Sequence, residues 1–161
     1  YNTYYGTYIK LNEERPLKEG LRSGSAETHE FFASIPSDKL EYRYEAGKWS
    51  VKEILLHLID TERIFAYRAL RIARKDTTAL AGFDQDMYVE LSQANNRSID
   101  HLLKEYRSLR ESTIDMFSSF SNDMLTQIGV ASDSPLSPRA AGFIIVGHEK
   151  HHIRVIKERY L

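Results

Sequence analysis

Of the six histidines in the chain, two stand one helical turn apart near its end, His148 and His152 in GHEKHHIRVIK. Taking Ile145 as origin and about 100° of rotation per residue, His148 falls at about −60° and His152 at about −20°. Ala141 and Ile156 share that face, so both imidazoles point with apolar residues toward a core. Two neighbouring buried imidazoles repel when protonated and lack partners when neutral, whereas a shared cation satisfies both. His57, at the edge of another apolar stripe, supplies a third nitrogen if its helix faces the first. Three histidine ligands with one position open make a catalytic arrangement rather than a closed structural one. In a chain without cysteine, an all-imidazole shell favours zinc, nickel or iron(II) over calcium or magnesium. The alternative is that each is a core or boundary histidine with ordinary hydrogen-bond partners. His151 falls on the flank of its helix, and His29 and His101 read as surface or boundary residues.

Residues 148–152, HEKHH, literally match the H-E-x-x-H pattern of zinc proteases, with Glu149 as general base. That pattern requires a third ligand downstream. No histidine follows His152, and Glu158 is the only later carboxylate, so the protease reading fails. Glu149 remains a candidate catalytic carboxylate that orients a bound water, or else a partner for a Lys or Arg. Glu62, inside the stripe that carries His57, is a candidate to hold an imidazole N–H, or to pair with Arg63, Arg68 or Arg71. Asp60 reads as solvated, and Tyr42, Arg43 and Tyr44 as loop packing. Neither a Gly-rich phosphate loop nor a G-x-S-x-G elbow is present.

These side chains must be positioned by helices. One is expected from about Pro16 to Ser34, with Leu17, Leu21, Thr28, Phe31, Phe32 and Ile35 near one face. Its Gly20 and Gly24, each costing up to about 1 kcal/mol relative to Ala, lie at i, i+4 and admit a close neighbour, which suggests a homodimer contact. The second opens with a capping box, Ser50 and Glu53, and a Trp49–Ile54 staple. It runs to about Lys75 with apolar residues at a 3.6 period. A third is expected from about Ser98 to Phe120, and a fourth from Ser137-Pro138 to about Arg159. A short helix is expected from Asp84 to Gln93, and no segment alternates as a strand does. The expected fold is all-α, a four-helix bundle with one or two longer crossover connections. The chain reads as a single domain, 1–161, with residues 1–15 as an N-terminal extension.

Composition narrows the partners. The chain has 161 residues, of which 22 are Lys or Arg and 23 Asp or Glu, a net charge of −1. A balance so near zero leaves no footprint for nucleic acid or an anionic membrane. No apolar run approaches the roughly 18 residues of a membrane span, and no signal peptide is visible. Without cysteine, disulfides and thiolate ligands are excluded, which fits a reducing, cytoplasmic setting.

The stretches GKWSVKEILLHLIDTERIFAYRALRIAR (47–74), GFDQDMYV (82–89) and GHEKHH (147–152) together resemble the DinB-like family. That superfamily of metal-binding four-helix bundles includes bacillithiol-transferase-like proteins. The resemblance runs from about Pro36 onward and implies three metal-binding histidines, at His57, His148 and His152. It also implies thiol transferases that use low-molecular-weight thiols, isomerases that depend on them, and frequent homodimers.

Two classes of function follow as expectations. The first is a metal-dependent enzyme acting on a small molecule. One version is a low-molecular-weight-thiol S-transferase in stress or detoxification, the other a small-molecule hydrolase. Because the chain has no cysteine, any thiol must come from a cosubstrate. An apolar wall of Ile54, Thr61, Ile145 and Ile156 around the metal is expected to suit an apolar electrophile. The second class is a non-catalytic metal-binding stress protein. A cavity beside the histidines separates the two.

Overall fold

The computed structural model describes residues 1–11 and 15–161; of the segment 1–15, residues 12–14 lie outside the described part. Four long helices form the bundle: α2 (Leu17–Ala33), α3 (Val51–Ala73), α5 (Ile99–Ser118) and α7 (Pro138–Arg159). Shorter helices are α1 (Gly6–Lys10), α4 (Gln85–Leu91) and α6 (Asn122–Thr126). Helix α3 packs against α5 and α7, and so does α2. Consecutive long helices α2 and α3 are therefore diagonal in the bundle. All three connections between long helices, residues 34–50, 74–98 and 119–137, are long, where one or two were expected. Among the described residues no helix is long and apolar enough to cross a membrane.

Local sequence explains the helix starts. At α3 the Ser50 hydroxyl accepts from the Glu53 amide at 3.2 Å, and the Glu53 carboxylate accepts from the Ser50 amide at 2.7 Å. This reciprocal cap fixes where the helix begins. Ser98 and Ser137 cap α5 and α7, the latter followed by Pro138 in the first turn. A hairpin that the sequence reading excluded pairs β1 (Gly129–Ala131) with β2 (Ser134–Leu136). Its two turn residues, Ser132 and Asp133, both take positive φ, 50° and 55°, where Asn-Gly is the usual signal. Three-residue strands are also too short to show alternation.

The core divides into two apolar clusters, one around Phe65, Ile72, Phe117 and Ile144, the other around Phe32, Leu55, Leu102 and Ile156. A polar layer separates them. At its centre Arg110 of α5, fully buried, forms a two-pronged bond to Glu62 of α3 at 2.9 and 2.7 Å. It also donates to both oxygens of Glu149 on α7 and to the Leu21 carbonyl of α2 at 3.3 Å. The Tyr106 hydroxyl donates to Glu149 as well. Burial alone would lower Arg110, but the two carboxylates more than offset it and hold it protonated. One guanidinium thus ties all four long helices together.

Gly24 is where the sequence reading is corrected. Gly20 and Gly24 are buried within the bundle rather than on an outer face. A Cβ on Gly24 would lie 3.2 Å from the Glu149 carboxylate. The close neighbour it admits is α7 of the same chain, so the stripe gives no dimer contact. Gly147 does the same for the N-terminal segment: its missing Cβ would sit 1.9 Å from the Tyr8 carbonyl oxygen. Helix α1 therefore lies directly on α7.

Two outcomes are expected. Arg110→Met, leaving Glu62 and Glu149 buried without a cation, should lower the unfolding free energy at pH 7 by about 3–5 kcal/mol; a urea titration showing a loss below about 1 kcal/mol would mean the carboxylates find other partners. Gly147→Ala should cost about 1–3 kcal/mol by overpacking and free Tyr8, which two-dimensional NMR of labelled tyrosine would reveal as a sharpened, shifted signal.

Candidate metal centre

Three histidines converge between α3 and α7. The Nε2 atom of His148 lies 3.2 Å from Nε2 of His57 and 3.0 Å from Nε2 of His152. One ligand atom from each falls within 4.8 Å of the others. His57 and His148 are buried, at 4% and 7% exposure, and His152 is half-buried. Burial lowers His57 to about 4. It also drives His148 and His152 well below the ordinary imidazole range, helped by the neighbouring rings. All three are therefore neutral at physiological pH, with lone pairs available.

This arrangement fits a metal on its own chemistry. At Zn–N distances of about 2.0–2.1 Å, tetrahedral ligands are separated by about 3.3 Å, close to the spacings observed. Neutral imidazoles have one N–H each, so three Nε2 atoms so close together cannot satisfy one another fully, whereas a cation accepts all three lone pairs. Among the described residues no carboxylate hydrogen-bonds to the three rings. The donor set is nitrogen only.

The other sequence candidates sit elsewhere. Glu149, next to His148, turns about one helical step away and ends on Arg110 and Tyr106, while burial pushes its carboxyl up to about 7 against the pull of Arg110. Glu62 pairs with Arg110, and not with Arg63, Arg68, Arg71 or an imidazole. Asp60 pairs with Arg63 at 3.3 Å. His151 is half-buried with its ring against Tyr8, 5.4 Å between centroids. His29 is half-buried and His101 exposed.

Aromatic rings wall the triad. Trp49 lies 4.7 Å from the His57 ring and is stacked on His152 at 6.3 Å. Its backbone carbonyl accepts from the Tyr160 hydroxyl at 2.7 Å. Arg43 clamps the same turn, donating to the Lys48 carbonyl at 2.9 Å and to both Glu53 oxygens at 2.7 and 2.8 Å. On the other side the Tyr8 ring stands edge-on to His148 at 5.3 Å.

Two cavities adjoin the histidines, one on either side of them along the α3–α7 seam. The larger, about 800 Å³, is reached by His152 and Trp49 and has a charged rim of Arg43, Lys48, Glu53, Asp86 and Glu90. The smaller, about 270 Å³, is reached by His148 and Thr61 and walled mostly by aromatic rings. The expected apolar wall is thus corrected. Ile54 lines the larger cavity and Thr61 the smaller, but Ile145 and Ile156 belong to the packed core. Arg110 escaped the sequence reading, although it follows Leu103 and Tyr106 at helical spacing and precedes Thr113 and Phe117. A charge in phase with an apolar stripe was the available signal. The placement of Tyr8 had none, because a tyrosine-rich start looks the same whether docked or free.

Comparison with known proteins accords with this geometry. A protein of Oceanobacillus iheyensis, provisionally assigned as a metal-dependent hydrolase, is 21% identical over 126 residues, covering 77% of this chain and 72% of the relative. YfiT from Bacillus subtilis, also provisionally assigned as a metal-dependent hydrolase and noted for an unusual four-helix bundle topology, matches with a TM-score of 0.79 at 18% identity, over 88% of this chain and 82% of that one. The mycothiol-dependent maleylpyruvate isomerase matches with a TM-score of 0.71 at 11% identity, over 88% of this chain and 61% of that one. At these identities the two structures establish likeness of fold alone. The sequence profile of the DinB superfamily matches residues 21–156, a span containing all three histidines, and the chain belongs to that superfamily.

Proposed function

We propose that His57, His148 and His152 bind one divalent transition metal (zinc, nickel or iron) and that the protein is a metal-dependent enzyme transferring a low-molecular-weight thiol to an electrophilic carbon. The observation that carries this reading is the set of three imidazole nitrogens, 3.0 and 3.2 Å apart, one of them on His152 at the edge of an open cavity of about 800 Å³. A structural site would close over its ion. A dipositive ion there supplies Lewis acidity, easing loss of a proton from a thiol or water or polarising an electrophile.

The chain's own residues do the rest. The Arg43 clamp and the Tyr160 bond hold Trp49 against His57 and His152, fixing the orientation of those rings beside the larger cavity. The charged rim of the larger cavity suits a cosubstrate that itself carries charges. In the transfer a sulfur–carbon bond forms, the bond from that carbon to its leaving group breaks, and the leaving group departs with the bonding pair. The thiol proton passes to solvent. Glu62 and Glu149, the nearest buried carboxylates, are engaged by Arg110 and are unavailable as bases. A thiol, with a pKa near about 8.5 in free cysteine, depends least on such a base. The thiol requirement of the mycothiol-dependent isomerase, a protein of similar fold, supports the same choice. Hydrolysis of a small molecule is the second reading, favoured by the provisional assignment of two relatives.

The metal reading predicts about one divalent ion per chain by elemental analysis. His148→Ala and His152→Ala should each lose most of it, and His151→Ala should keep it; the reverse pattern would mean His151 is the ligand. The reaction is tested by giving the loaded protein a panel of thiols with a chromogenic electrophile, His148→Ala serving as blank. Thiol-dependent turnover above that blank is expected. Turnover without thiol would favour hydrolysis, and equal rates for both proteins would leave metal binding alone.

A further inference from the structure

One residue in the wall of the smaller cavity carries an unsatisfied polar atom, shut inside that wall and brought to the lumen by rotation of its side chain between staggered positions. Thr61 sits one helical turn after His57, is 5% exposed, and its hydroxyl has no hydrogen-bond partner. Buried hydroxyls are nearly always paired, and a helical threonine ordinarily bonds the carbonyl four residues earlier. Thr113, equally buried on α5, does so, reaching the Leu109 carbonyl at 3.1 Å. Thr61 does not, and it lines the cavity that His148 also reaches.

The remaining walls define what fits. Tyr5 stands edge-on to Phe65 at 5.5 Å and Tyr8 edge-on to His148 at 5.3 Å, with Phe83 and Ile144 completing the enclosure. Such edges and faces match a flat ring. Asp, Glu, Lys and Arg are absent from the described lining residues, in contrast to the larger cavity's rim, and the nearest charge is Arg68 behind the wall, over the Phe65 and Phe83 rings and bonded to the Ser132 hydroxyl at 2.9 Å. A dry cavity of roughly 150 Å³ accommodates benzene, so about 270 Å³ accommodates a substituted ring.

We infer that this cavity is a second subsite of the triad, taking a small uncharged aromatic ring whose hydroxyl or carbonyl oxygen bonds Thr61. The inference deepens the enzymatic reading by giving the electrophile's place and chemical class, and rests on it for the role of the ring as substrate. Thr61 is then a specificity-determining residue. A ring with one polar atom satisfies its hydroxyl, whereas the bare hydrocarbon leaves it unpaired.

The test is binding, read by fluorine NMR with 4-fluorophenol and fluorobenzene as probes, on protein as purified and after chelation. The phenol should bind about tenfold tighter than the hydrocarbon, and Thr61→Val should remove that preference while leaving fluorobenzene affinity unchanged. Gly82→Leu should abolish binding of both, since a Cβ there stands in ordinary contact with Ser132, 3.4 Å away, and the rest of the side chain can fill the space. Equal affinities for the probes, an unaltered preference in Thr61→Val, or binding that survives Gly82→Leu would each overturn the inference and leave water as Thr61's partner. Binding should persist after chelation. A protein that binds the rings but carries no metal would sink the enzymatic reading while the subsite stands, and a protein with metal but no ring binding would do the opposite.

Discussion

A buried guanidinium must be paired, and satisfying Arg110 constrains the bundle around it. Its five donors reach α2, α3 and α7 from α5, so the rotation of each helix about its own axis is limited by one side chain. Because Glu149 is drawn toward Arg110, the residue before it, His148, is turned about 100° away toward α3. His152, one turn later, follows. On α3 the same logic applies: Glu62 faces Arg110, which leaves His57 and Thr61 on the side facing α7. The charge layer and the histidine cluster are thus two readouts of one helical phase, and moving either would move the other.

Much of this phase was legible in the sequence. The Ser50–Glu53 box located the start of α3, Ser137-Pro138 located α7, and the i, i+4 spacing put His148 and His152 on one face. His57 was placed only at a stripe's edge, and it is buried because Trp49 covers it, a contact outside helical periodicity. What stayed hidden depends on distant partners. Nothing local says that Gly24 makes room for Glu149 or that Gly147 makes room for Tyr8. Ser132 and Asp133 are not the residues that announce a tight turn. Arg110 was read past because sequence patterns treat a charge as solvated until its partners are known.

The seam between α3 and α7 has unlike chemistry on the two sides of the histidines. Toward Trp49 and Tyr160 it opens to a broad, charged mouth; toward Phe65 and Ile144 it narrows to an aromatic chamber bordered by the N-terminal tyrosines. The histidines stand at the junction. Small molecules of unlike polarity can therefore approach the triad by separate routes, one past His152 and the other past His148.

His57 and His148 are 91 residues apart in the chain. In polymer terms, an ion shared between them ties off a loop of that length, as a disulfide would, in a protein that has no cysteine to make one. The chain-entropy relation puts such a tie at about 4–5 kcal/mol, with the distinction that it can be undone by withdrawing the ion. The mechanical coherence of the α3–α7 seam would then follow the supply of metal, with no change in sequence or redox state.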